Sequence, residues 1–262
     1  MTSDEMMRIY SLNRVYLNEM KRKHITKWIW RLGVLCLLFA SCQAINPVMI
    51  HFENDTRSIS HGESWDGSME YGKRLPSSGD NFSGVSHTLM ALGRNGVHSE
   101  LRKTVLATYD TINKALPNNQ YLYGECGWTK GGKFWPHYTH QNGLVIDFMV
   151  PVIRTKDSSI TTLPTHIFNR FAYAREFDSS ALSGKYAIDF ESMAAHLYFL
   201  QVEGKKHGIS IRRIIFAPEF LPKLYATSYG PMIKDINFVY KKNWLRHDDH
   251  YHVEFLYEPV GQ

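Results

Sequence analysis

Cysteine is scarce in this chain of 262 residues. Of three cysteines, Cys36 and Cys42 belong to the N-terminal segment, which leaves Cys126 alone in the remainder. A lone thiol excludes an internal disulfide there, even in an oxidising compartment. No basic helix terminus stands beside it in the sequence, so it reads as a structural thiol rather than a nucleophile. Long apolar runs are missing too: the stretch from Leu32 to about Ala40 is too short for a comfortable membrane span. No internal repeat or low-complexity tract occurs, which excludes a repeat architecture. Positive charge is scarcer than the formal net +5 implies. Residues 1–42 hold seven Lys and Arg against three acids, so four of the five surplus charges sit there. What remains is nearly neutral, which argues against a nucleic-acid binder held by phosphate contacts.

The N-terminal surplus has a layout of its own. From Met20 the chain reads MKRKHITKWIWRLGVLCLLFASC, a basic region followed by the short apolar run. That is the arrangement of an export signal. The ending FASC at Cys42 is similar to a bacterial lipoprotein cleavage box, with Phe39 unusual in its place; an uncleaved membrane anchor is the alternative. Residues 1–19 read as an over-extended gene start or a cytoplasmic tail, and residues 20–44 as the signal or anchor. Either way the expected location is outside the cytoplasm, in the periplasm, with the N-terminal segment meeting a membrane.

Residues 45–98 are rich in Gly, Ser, Asn and charge, and read as an extended arm with loops. Residues 99–262 read as the core. SELRKTVLATYDTINKAL (99–116) has helical apolar spacing at Leu101, Val105, Ile112 and Leu116, with Ser99 as N-cap and Pro117 as stop. A second helix spans about 189–207 and ends at Gly208. YLYGE (121–125), LVIDFMV (144–150), IRRIIF (211–216) and HYHVEFLY (250–257) have strand composition. Pro218 opens a short helix within 217–228. The expected fold is α+β: a small, mainly antiparallel sheet with flanking helices and a metal site on the sheet.

Histidine is what the chain has in concentration. WLRHDDHYHVEF places His247, His250 and His252 within six residues, and HYTHQNGLVID gathers His137, His140 and Asp147. Imidazole is the commonest biological metal ligand. On a strand, His250 and His252 project from one face while Tyr251, Val253 and Phe255 project from the other. One histidine of the pair then serves as ligand and its neighbour stands over the same metal. Gly143 permits a tight turn between His140 and the strand carrying Asp147. Three ligands, His140, Asp147 and His252, leave a fourth position for water, the requirement for zinc hydrolysis. His247 reaches the cavity rim, and Asp248 or Asp249 is placed to orient one of these rings. Scattered histidines such as His51, His61, His98 and His196 read as ordinary surface or core residues.

At these residues the chain resembles the zinc peptidases that group lysostaphin, D-Ala-D-Ala metallopeptidases and the hedgehog signalling domain. Within that group it is most similar to penicillin-insensitive murein endopeptidases. The resemblance runs from about Arg57 to Phe255 through RSISHG, YGKRLP, LGRNGVHSEL, GGKF, HYTHQNGLVID, RIIFAP and WLRHDDHYHVEF. By position it implies that His140, Asp147 and His252 bind zinc, that His250 and His247 stand beside the metal for proton transfer, and that His137 is a further active-site histidine. Where several relatives carry a Glu as general base, this chain has His247. The resembling branch is disulfide-bonded, and this domain cannot be. The implied activity is hydrolysis of peptidoglycan cross-links, which contain D-centres, by a membrane-associated enzyme. The resemblance extends to enzymes that open the wall for a secretion machine, with secretion-system components as partners. Trp128, Phe134, Trp135 and Tyr138 are candidates to line a groove for the peptide stem. A carboxypeptidase that trims terminal D-alanine would instead need a cationic pocket, for which Arg57 and Arg94 are the candidates. A zinc-bearing wall-binding domain without turnover is the reading from another class.

Overall fold

The computed structural model describes residues 20–34, 43–239 and 246–259. The chain divides into two compact units, Met1–Ala44 and Ile45–Gln262. In the first, residues 20–34 are helical. Residues 1–19 and the end of the apolar run with FASC lie outside the described residues. Among the described residues, no helix is long and apolar enough to cross a membrane.

The second unit is α+β. Its main sheet has six strands: β4 (Phe82–Gly84), β6 (Tyr121–Tyr123), β7 (Val145–Met149), β12 (Ile209–Ile215), β13 (Phe238–Val239) and β14 (His250–Tyr257), in the order β13-β12-β14-β7-β6-β4. The three central pairings are antiparallel, and both edge strands join in parallel. A smaller sheet holds β8 (Val152–Arg154), β9 (Ile160–Thr161), β10 (Leu182–Ser183) and β11 (Tyr186–Ile188) in the order β10-β11-β8-β9. The segment 45–98, read from sequence as an arm with loops, belongs to this same unit. It contributes a helical turn region up to residue 51, the hairpin β1 (Ile59–Glu63) and β2 (Asp66–Glu70), β3 (Lys73–Arg74), β4, the short helix α1 (His87–Ala91) and β5 (Gly96–Val97). Polar side chains bolt it down: buried Asn46 donates to the Leu75 carbonyl and to Ser77, and Asn95 donates to Asn46. Three of these strands are only two or three residues long, too short to show a strand period in the sequence.

Helix α2 (Ser99–Ala115) starts one residue earlier in function than the sequence implies. The N-cap is His98, whose Nδ1 accepts from the Glu100 amide, and Ser99 is the first helical residue. An imidazole can take the role usually filled by Ser or Asp because its unprotonated nitrogen reaches the same orphan amide. Helix α3 (Phe190–Lys206) is capped by Asp189 and ends before Gly208, which has φ +68°. A 3-10 turn at Pro218–Phe220 runs into the short helix α4 (Leu221–Tyr225).

Helices α2 and α3 lie on the face of the sheet that carries Tyr251, Val253, Phe255, Ile146 and Phe148, all buried. Each such side chain contributes roughly 1.5–3 kcal/mol by leaving water. At the centre of this layer the Tyr251 hydroxyl meets His196 of α3 at 2.8 Å, and Phe148, Tyr109 and Tyr121 pack around the imidazole. The other face of the same strands is left for polar chemistry.

Burial holds His98 down to a pKa of about 4 and His196 to about 3, against an ordinary 6.5. Both are therefore neutral when folded. As pH falls from 6.5 toward 4 the unfolded chain takes up protons that the folded chain refuses, so stability drops across that window. Urea denaturation of chelator-treated protein at pH 7, 6 and 5 should show a loss on the order of a few kcal/mol. His196→Gln should flatten that slope.

Candidate metal centre

Asp147 sits in the middle of β7 and His252 in the register position directly opposite on β14. Directly opposed residues of an antiparallel pair share a face, so the two side chains meet: His252 Nδ1 lies 2.8 Å from Asp147 Oδ1. His250, two residues earlier on the same face, brings Nε2 to 4.0 Å from Asp147 Oδ2. From the loop before β7, His140 places Nε2 3.4 Å from Oδ1 and His137 places Nδ1 3.5 Å from Oδ2. Four imidazoles converge on one carboxylate that is fully buried.

Local backbone makes this convergence possible. Gly143 has φ +74°, and a Cβ there would run into the Met69 sulfur. Its left-handed turn swings the chain from His140 into β7. At Gly124 a Cβ would collide with the Tyr173 hydroxyl, so glycine is what lets that ring approach. Tyr173 arrives on a loop where Arg170, Phe171 and Ala172 have φ of 49°, 57° and 81°. Left-handed backbone costs about 1–2 kcal/mol per residue, and here it turns the tyrosine inward. Its hydroxyl accepts from the Glu125 amide at 2.8 Å and donates to Asp147 Oδ2 at 3.0 Å. Burial, with Asp147 and Glu125 nearby, raises its pKa well above the usual value, so it stays a hydroxyl.

The surrounding groups set each ring. His140 donates from Nδ1 to the Cys126 carbonyl at 2.9 Å. Its Nε2 is then a bare lone pair, fully buried and with no hydrogen-bond partner. A buried acceptor without a donor costs about 1–3 kcal/mol, unless something else occupies it. Burial lowers the pKa of His140, against the pull of Asp147, which favours the neutral form a ligand needs. Burial alone would raise Asp147; the imidazoles of His140, His250 and His252 gathered around it hold it well below the carboxylate range. His252 experiences the same burial, yet hydrogen bonds to Asp147 and Glu254 push it up to about 9. Glu254 is itself held by Arg213 at 2.6 Å, and the His252 Nε2 lies 3.3 Å from the Thr139 hydroxyl. His250 donates from Nδ1 to Asp249 Oδ1 at 2.5 Å. Of the two candidate acids, then, Asp249 orients a histidine. Asp248 instead accepts from the Phe177 amide and pairs with Arg246. The His247 ring lies 4.9 Å from that of His250 and 6.3 Å from that of His252, closing the group at the rim.

His137, His140 and Asp147 can hold a metal ion: their ligand atoms all lie within 4.8 Å of one another. His252 shares Asp147 with them, joined to it through a proton on Nδ1. The unpartnered His140 Nε2 facing an ionised carboxylate is the observation that fits a cation, since a cation satisfies both at once.

The aromatic candidates divide. Phe134 is buried and Trp128 half-buried, both packed against the Arg94 guanidinium at 4.0 and 5.3 Å. Trp135 and Tyr138 are 80% and 70% exposed, on the loop that carries His137 and His140, and are free to meet a substrate. Arg94 is committed to Glu125 and to the Trp135 carbonyl, and Arg57 is exposed beside His98. Cys126 is buried with its pKa raised well above the ordinary value, as a structural thiol should be.

Sequence reasoning missed Tyr173 and Glu125. Glu125 left a trace, a carboxylate ending the apolar strand YLYGE; Tyr173 lies in a loop with no pattern to mark it. No family model matches this chain, and no curated protein matches it.

Two outcomes test the centre. His140→Ala and Asp147→Asn should each abolish divalent-metal uptake measured by elemental analysis of dialysed protein. If His252 joins the group as a ligand, a metal displaces its proton, and affinity should fall about tenfold per pH unit below 9, read by competition with a chromophoric chelator between pH 6 and 8.

Proposed function

We propose that this chain is a zinc-dependent peptidoglycan endopeptidase that hydrolyses peptide cross-links involving D-amino acids. The observation that carries the reading is the buried, unpartnered His140 Nε2 turned toward the ionised Asp147, with imidazoles left over around them. Mixed imidazole and carboxylate donors suit zinc. We assign the ligands as His140, Asp147 and His252, with His137 as an additional donor whose Nδ1 belongs to the same group. Zinc, when bound, supplies a Lewis acid that polarises the scissile carbonyl and lowers the pKa of water from ~15.7 toward ~7.

The protein's own groups do the proton work. Asp249 accepts the Nδ1 proton of His250, so the His250 Nε2 is the atom that exchanges a proton with substrate or water. His250 is drawn down by burial, but Asp147 and Asp249 outweigh this and raise its pKa above the ordinary histidine value. The shift favours the protonated ring, whose Nε2 can donate to a developing oxyanion or amine. His247 supports the same rim. A purely structural metal site has no use for these two additional histidines, which is the argument against a binding domain without turnover. Arg94, spent on Glu125, leaves the carboxypeptidase reading without one of its two candidate carboxylate binders.

The compartment supplies the substrate class. The basic and apolar N-terminal segment directs the chain to the periplasm, anchored in or lipidated at a membrane. There the wall is the abundant amide polymer that ordinary proteases leave intact. A confined enzyme of this kind suits local opening of the wall for a trans-envelope machine such as a secretion system.

Purified protein incubated with sacculi should release cross-link fragments identified by mass spectrometry, and a chelator should stop it. His250→Ala should lower kcat by about 10²–10⁴-fold with metal content unchanged, and His252→Ala should lose both metal and activity. Undiminished cleavage by metal-free protein, or by a folded His252→Ala variant, would sink the mechanism.

A further inference from the structure

We propose that Glu125, clamped by Arg94, is the positioning residue that fixes His137 with its Nδ1 turned into the metal group. Glu125 follows β6 and is buried. Its two carboxylate oxygens have separate tasks: Oε2 lies 2.7 Å from His137 Nε2, and Oε1 takes the Arg94 Nε. A carboxylate only accepts hydrogen bonds and an arginine is always cationic. The hydrogen between Glu125 and His137 therefore belongs to the imidazole Nε2. The opposite nitrogen, Nδ1, is then the one presented to Asp147 Oδ2, 3.5 Å away.

The backbone of Glu125 is tied to the same centre. Its amide donates to the Tyr173 hydroxyl that donates to Asp147, and its carbonyl accepts from the Asp147 amide at 3.2 Å. Carboxylate and target are thus held in one frame. Arg94 also restrains the loop that delivers His137, donating to the Trp135 carbonyl at 3.0 Å and packing on Phe134. Without this clamp, His137 would rest on a loop whose Trp135 and Tyr138 are largely in water. A carboxylate behind a metal-facing imidazole is the arrangement that fixes tautomer and orientation, and its loss typically weakens metal binding about 10–100-fold.

This inference rests on reading the group as a metal centre, and the experiment separates the two. Zinc affinity is measured by chelator competition for the wild type, Glu125→Ala, Glu125→Gln, His137→Ala and the Glu125→Ala/His137→Ala double variant. Each Ala variant should bind zinc about 10–100-fold more weakly, and the double variant no more weakly than His137→Ala. Glu125→Gln, nearly isosteric, guards against a fold defect and should lie between wild type and Glu125→Ala. A role in fold stability alone would lower the melting temperature and leave zinc affinity within about twofold; that result, or additive losses in the double variant, overturns the proposal. Imidazole ¹⁵N spectra of the metal-free proteins give a readout independent of zinc. Wild type should show His137 protonated at Nε2, and Glu125→Gln a mixture of tautomers. A wild type that binds no zinc refutes the metal centre, and the spectra still decide whether Glu125 sets His137. An unchanged His137 spectrum in Glu125→Gln overturns the positioning role.

Discussion

The pairing of β14 with β7 is the constraint on which the site depends. It sets His252 opposite Asp147, two residues that lie 105 apart in sequence. The same register puts Tyr251 and Phe148 together on the opposite face, against α3. Chemistry and core are therefore fixed by a single alignment. A slip of one residue would turn His250 and His252 into the apolar layer and Tyr251 toward the polar side. The cost of burying two imidazoles and exposing two aromatics is what keeps the register.

Within that frame, electrostatics does the organising. A fully buried carboxylate is unfavourable unless compensated, and Asp147 is compensated by imidazoles, a tyrosine hydroxyl and its place between two strands. Each histidine in turn is held from behind by a different group: His140 by the Cys126 carbonyl, His137 by Glu125, His250 by Asp249 and His252 by Glu254. The outer partners come from several segments, so the site is a junction of much of the fold. Two of the acid–imidazole pairs carry their own counter-charges, Arg94 on Glu125 and Arg213 on Glu254.

The sequence carried the inner part of this arrangement and little of the outer. His-x-x-His with a following Asp, and His-x-His on a strand, are local patterns, and strand periodicity alone places His250 and His252 on one face. The strand β14 and the two long helices were readable because apolar spacing persists over several turns or residues. What required the folded chain was anything set by a distant neighbour. Tyr173 owes its role to a left-handed loop, and Arg94 to a carboxylate 31 residues away. His98 caps α2 because its ring is buried unprotonated, which no local pattern announces. Three strands of the 45–98 segment were hidden because they are only two or three residues long, too short to show a period.

Because β14 is the last strand described and closes against β7 from the far end of the chain, the donors are dispersed until folding is nearly complete. A polypeptide threaded through a membrane in extended form would carry isolated histidines, each a weak ligand, and no preformed cradle. Metal would then be acquired from the pool on the arrival side, and the chain would stay inert during transit. On the proposed export route, the separation of Asp147 from His252 in the sequence would place metal loading after the crossing.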